Sequence, residues 1–73
     1  MSHDDSDEAL RALIADVMRQ GHISTHGLWV YYFSIGGFIG EVEVDAYLHG
    51  LMPLPALDEE LLAVAVAEMY ADT

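Results

Sequence analysis

Apolar residues recur along most of this chain at helical spacing. Leu10, Leu13, Ile14, Val17 and Met18 fall at i, i+3, i+4, i+7 and i+8, the one-sided stripe of an amphipathic helix. Asp5 with Glu8 makes a capping-box-like start, Arg19 lies in the last turn and Gly21 just beyond it, which predicts a helix over 7–20. Near the other end Leu57, Leu61, Leu62, Ala65, Val66, Met69 and Tyr70 form a wider stripe. Pro53 and Pro55 punctuate its approach, and Asp58, Glu59 and Glu60 crowd its first turn, which predicts a second helix over 57–71.

The middle of the chain supports two readings. Leu28 to Ile35 has strong β-propensity, Gly36-Gly37 fits a two-residue turn, and Glu41 to Ala46 alternates polar and apolar. That pattern describes a central β-hairpin over 28–48 between two helices, an α+β fold. The helical reading has better punctuation. Ser24 or Thr25 can cap a helix that Gly36 ends. Val44, Tyr47, Leu48 and Leu51 share one helical face, acids open that segment, His49 lies in its last turn and Gly50 follows. Agreement between capping and periodicity favours it. The expectation is therefore all-α: a compact bundle of four short helices at about 7–20, 26–35, 41–49 and 57–71. They form a single small helical domain over 7–73, preceded by an acidic disordered arm at 1–6.

Composition narrows the class. The chain has 73 residues and 8.0 kDa, the size of one domain, and domains this small are only marginally stable alone. Two cationic residues, Arg11 and Arg19, face 13 acidic ones, giving a net charge of −11 with no lysine. Direct nucleic-acid binding is excluded, because it needs cations to displace counterions from phosphates. Attachment to an anionic membrane surface is disfavoured for the same reason. The absence of cysteine removes disulfides, thiol nucleophiles and Cys-type zinc sites. The dense apolar run from Leu28 to Gly40 is too short to span a bilayer, and the acidic N-terminus lacks an apolar signal region. A cytoplasmic protein without membrane contact is expected. The charge is uneven: an almost neutral stretch over 9–40 lies between acidic flanks.

Candidate chemistry is sparse. His22 and His26 are spaced i, i+4, a metal-binding spacing on a helix, but Gly21 and Gly27 bracket them and a turn is the better reading. Asp45 and His49 share that spacing and are expected to stabilise a helix rather than form an acid–base pair. Asp4, Asp5, Asp7 and Glu8 lack the glycine and terminal glutamate of an EF-hand loop. Gly36-Gly37-Phe38-Ile39-Gly40 lacks a Walker lysine and reads as a helix stop plus a tight connector. Length and acidity resemble those of small four-helix carrier proteins, which bear phosphopantetheine on a serine at a helix N-terminus. Ser34, set between Phe33 and Ile35 at the end of a predicted helix, does not fit that motif. Residues 26–49 resemble a helix–turn–helix in outline, with a second helix too acidic to approach DNA.

The aromatic run Trp29, Tyr31, Tyr32, Phe33 carries the most information. One helical stripe can bury Leu28, Trp29, Tyr32 and Phe33, which leaves Val30, Tyr31 and Ile35 facing elsewhere. An interaction surface is expected at Trp29, Val30, Tyr31, Tyr32, Ile35 and Phe38, beside an acidic surface of Glu41, Glu43, Asp45, Asp58, Glu59 and Glu60. The function that follows is a non-catalytic protein–protein interaction module. It would be a small acidic regulator or adaptor that self-associates, as a dimer, or docks on a larger protein. The alternatives are an acidic nucleic-acid mimic that occupies a DNA-binding or transcription protein, and a small apolar-ligand binder. No enzyme activity, cofactor or metal is expected.

Overall fold

A run of 3.6-period stripes separated by glycine and proline folds here into four helices and, among the described residues, no strand. The computed structural model describes residues 3–72, with side chains from Glu8 onward. The helices are α1 (His3–Gly21), α2 (Thr25–Ser34), α3 (Glu41–Leu48) and α4 (Ala56–Ala71). The fold is the all-α bundle, and the central hairpin is not formed. Helix α1 begins at His3 rather than residue 7, so Asp5 lies inside the helix instead of capping it, and the backbone at 3–6 is helical. Met1 and Ser2, the rest of the expected arm, lie outside the described residues.

Local signals account for the remaining boundaries. The Ser24 hydroxyl accepts the Gly27 N–H at 3.0 Å and caps α2. Gly40 opens α3, with Glu43 at the third helical position folded back over it. Ile39 before that cap and Val44 after it both pack into the core, as in a hydrophobic staple. Three helices end in Schellman turns, in which the residue after the cap adopts positive φ and two N–H groups bond back to the last turn. In α2 this residue is Gly36, with Gly37 N–H on the Tyr32 carbonyl. In α3 it is Gly50, with Leu51 N–H on the Ala46 carbonyl. In α1 it is His22, at φ 55, and not the expected Gly21. Gly21 instead meets α4: a Cβ there would stand 2.9 Å from Tyr70 Cδ1.

The helices form a closed ring of neighbours. α1 packs on α4 and α3, and α2 packs on the same two, so α1 and α2 stand diagonally across the bundle, as do α3 and α4. The core contains Ile14 and Met18 of α1, Leu28 and Tyr32 of α2, Val44 and Tyr47 of α3, and Leu62, Ala65 and Val66 of α4. Leu13, expected inside, is 58% exposed, and Leu51, Leu57 and Tyr70 are exposed as well. α4 presents Asp58 and Glu59 to the interior instead of Leu57.

Candidate functional site

Helix α2 is apolar almost all round, and it has two stripes of equal spacing. Leu28, Tyr31, Tyr32 and Ile35 form one, and His26, Trp29, Val30 and Phe33 form the other. The first faces the bundle: Leu28 and Tyr32 are fully buried, and Tyr31 and Ile35 are half-buried against the core. The second faces outward, with Val30 47% and Phe33 55% exposed and Trp29 half-buried.

The hydroxyl of Tyr32 anchors the inner stripe. It donates to Asp58 Oδ1 at 2.7 Å and accepts the Ile39 N–H at 3.1 Å. Gly37 lies against the ring so closely that a Cβ would fall 2.2 Å from Tyr32 Cζ. The glycine-rich connector is thus wrapped around one tyrosine. Burial, and then the hydrogen bond to Asp58, holds the Tyr32 phenol above its ordinary value. Tyr47 of α3 makes the parallel bond, donating to Glu59 Oε2 at 2.6 Å. The two carboxylates are 6% and 5% exposed, and they occupy the first turn of α4, where free backbone N–H groups and the helix dipole favour negative charge. No buried side-chain nitrogen or oxygen among the described residues is left without a partner.

Five expected surface residues are therefore corrected, two of them, Tyr31 and Ile35, because they are half-buried on the inner stripe of α2. Tyr32 is core, because its ring fills the bundle and its hydroxyl ties α2 to α4. Asp58 and Glu59 are interior acceptors for tyrosine hydroxyls and not part of an acidic surface. Glu60, Glu43 and Asp45 are exposed, and Glu41 is partly so. Phe33, expected inside, belongs to the outer face.

That outer face is ordered. Trp29 and Phe33 stack with ring centroids 5.5 Å apart, and His26 lies 6.2 Å from Trp29. The indole Nε1–H donates to the Ile39 carbonyl at 2.8 Å, which fixes Trp29 against the start of α3. Phe38, in the same connector, is 78% exposed. Carboxylates border the strip on both sides. On the α3 side, Glu41 Oε1 lies 2.9 Å from His26 Nδ1, with Asp45 one turn further along the same face of that helix. On the α4 side, Tyr31 donates to Glu68 Oε1 at 2.5 Å. That bond above all raises the Tyr31 phenol, helped by desolvation and by the charges of Glu68 and Asp72. Both arginines sit on α1, diagonal to α2, where Arg11 pairs with Glu8, and Arg19 with Asp16 at 2.5 Å.

The other candidates resolve as structure. His22 forms the α1 turn, so His22 and His26 do not share a helical face, and no metal-binding group of three or more His, Asp or Glu occurs among the described residues. His49 Nδ1 lies 2.8 Å from the Asp45 carbonyl and 3.6 Å from its carboxylate, on the exposed face of α3. Ser34 donates to the Tyr31 carbonyl at 2.6 Å. The side chains of Asp4, Asp5 and Asp7 lie outside the described residues. A cleft of ≈ 360 Å³ lies between α1 and the α3–α4 connector, lined by Glu8, Arg11, Tyr47, Glu59 and residues 50–53, away from Trp29. Among the described residues no helix is long and apolar enough to cross a membrane.

The two-stripe pattern was readable in α2, but nothing within α2 says which stripe turns outward. No family model, no curated protein and no solved structure matches this chain.

Proposed function

We propose that this protein is a non-catalytic interaction module that docks another polypeptide on the outer face of α2. One observation carries the reading: Trp29, Val30 and Phe33 form a pre-ordered aromatic strip on the outside of a helix whose opposite stripe already supplies the core. Exposed contiguous apolar area marks interaction sites, and rigid aromatic side chains dominate their energetics. The small regulator or adaptor expected from the sequence fits such a face. The nucleic-acid-mimic alternative is weakened because two of the eight carboxylates over 41–73 that it draws on, Asp58 and Glu59, are interior. The apolar-ligand alternative is weakened because the cleft away from α2 is bordered by Glu8, Arg11 and Glu59.

Site-specific photocrosslinking in the cells that make the protein tests this. A benzophenone side chain at Val30 or Phe33 should give a discrete adduct, with a second copy or with another protein. The same group at Ala12, exposed on α1, should give none. Equal labelling from all three positions, or none from 30 and 33, would sink the reading.

A further inference from the structure

The charge distribution around the strip restricts what can dock there. The strip itself carries no fixed charge. Glu41 lies on the α3 side of α2 with Asp45 one turn further along that helix, and Glu68 and the C-cap residue Asp72 lie on the α4 side. Helices α2, α3 and α4 contain neither lysine nor arginine. The two arginines are diagonal to this face and paired within α1. A second copy docked face to face would set carboxylate rows against carboxylate rows, between chains of −11 each. An anionic partner meets the same repulsion.

Resting on the docking reading above, we infer that the occupant is a basic amphipathic helical segment of another protein, its apolar residues on Trp29, Val30 and Phe33 and its lysines or arginines toward the two acidic rows. From His26 to Phe33 the strip extends about 10 Å along α2 at ~1.5 Å per residue, enough for two or three apolar side chains from a crossing helix. This is helix-on-groove recognition, with apolar anchors supplying affinity and the charged borders selecting the partner.

The experiment uses the full chain, whose single tryptophan, Trp29, lies in the strip. It is titrated with three tryptophan-free peptides of about 18 residues, each with leucines at helical i, i+3, i+4, i+7 spacing. Their polar positions are all Lys, all Gln or all Glu. The Lys peptide should shift Trp29 emission to the blue and bind at least ~10-fold more tightly than the Gln peptide, an advantage that shrinks as NaCl is raised. Phe33→Asp should abolish the shift while helical circular dichroism is retained, with Val30→Asp as a second exposed variant. The combined variant Glu41→Gln, Asp45→Asn, Glu68→Gln, Asp72→Asn should weaken the Lys peptide about tenfold, the sum of several exposed pairs.

Three results would overturn the basic-partner inference and leave the docking face standing: equal affinity for the Lys and Gln peptides, preference for the Glu peptide, or self-association in sedimentation that Phe33→Asp dissolves. Lys-peptide binding indifferent to Phe33→Asp would be adhesion by charge alone and would overturn the inference. A monomer that binds none of the three peptides would remove the docking reading along with it.

Discussion

Phenylalanine would fill nearly the same space as Tyr32, so the hydroxyl is what distinguishes this residue. It satisfies the buried Asp58 carboxylate and the Ile39 N–H together. Tyr32→Phe removes both bonds and leaves a buried carboxylate short of a donor, at a cost of about 1–3 kcal/mol, read as a lower Tm. The substitution also alters the alkaline limb. A phenol whose folded pKa lies above its unfolded value contributes stability that is complete below the unfolded value, about 10. That contribution is lost as pH rises through the folded one. Tyr32 and Tyr31 are both raised. The native chain should therefore lose stability as pH climbs past about 10, and Tyr32→Phe should show a shallower loss over the same range in a Tm-against-pH series. Parallel curves would contradict the assignment. His22 makes the opposite case. It holds a φ of 55, a conformation that costs L-residues about 1–2 kcal/mol. His22→Gly should raise stability by about 0.5–1 kcal/mol once the added chain entropy of glycine is subtracted. A lowered Tm would show that the His22 side chain contributes more than its backbone costs.

At the scale of elements, the connector between α2 and α3 packs on the inner face of α2. Gly36 and Gly37 are adjacent but have different reasons to be glycine. Gly36 has open space and needs positive φ, whereas Gly37 is buried against the Tyr32 ring. Gly37→Ala must displace either the ring or the connector, costing about 3 kcal/mol. Gly36→Ala carries only the backbone penalty, about 1–2 kcal/mol. Denaturant melts of the two variants should rank Gly37→Ala as the weaker fold. The reverse order would mean that the ring and connector separate easily. Helix ends were legible because a cap is a contact between residues three to six apart. Ser24, Gly36 and Gly50 all act where the sequence placed them. Gly21 misled because two glycine roles look alike in a sequence: it lies under Tyr70, and His22 makes the turn.

For the whole molecule, the dominant unbalanced quantity is charge. Folding gathers a net −11 into a body with a radius of gyration of 11.3 Å, against about 11.2 Å for a compact chain of this length. Self-repulsion in that volume opposes the fold and is screened by salt. The Tm should rise with NaCl up to about 0.5 M, where the Debye length falls to a few ångströms. A flat or falling response would show that local compensation, such as the tyrosine hydroxyls and the α4 N-terminus at Asp58 and Glu59, already balances the charge.

The chain by itself determined that it is helical, where three of its helices stop, and that it holds more aromatic surface than one helical stripe can hide. Those properties depend on near neighbours and on composition. Only the tertiary structure decided that Tyr32 faces in and Phe33 faces out, and that Asp58 and Glu59 are interior while Leu13 and Leu57 are not. Each of these outcomes turns on a partner far along the chain. A tyrosine hydroxyl can enter a core only where an acceptor meets it, and a carboxylate only where donors and a helix N-terminus receive it. Such matches form across the bundle, between residues whose spacing carries no pattern to read.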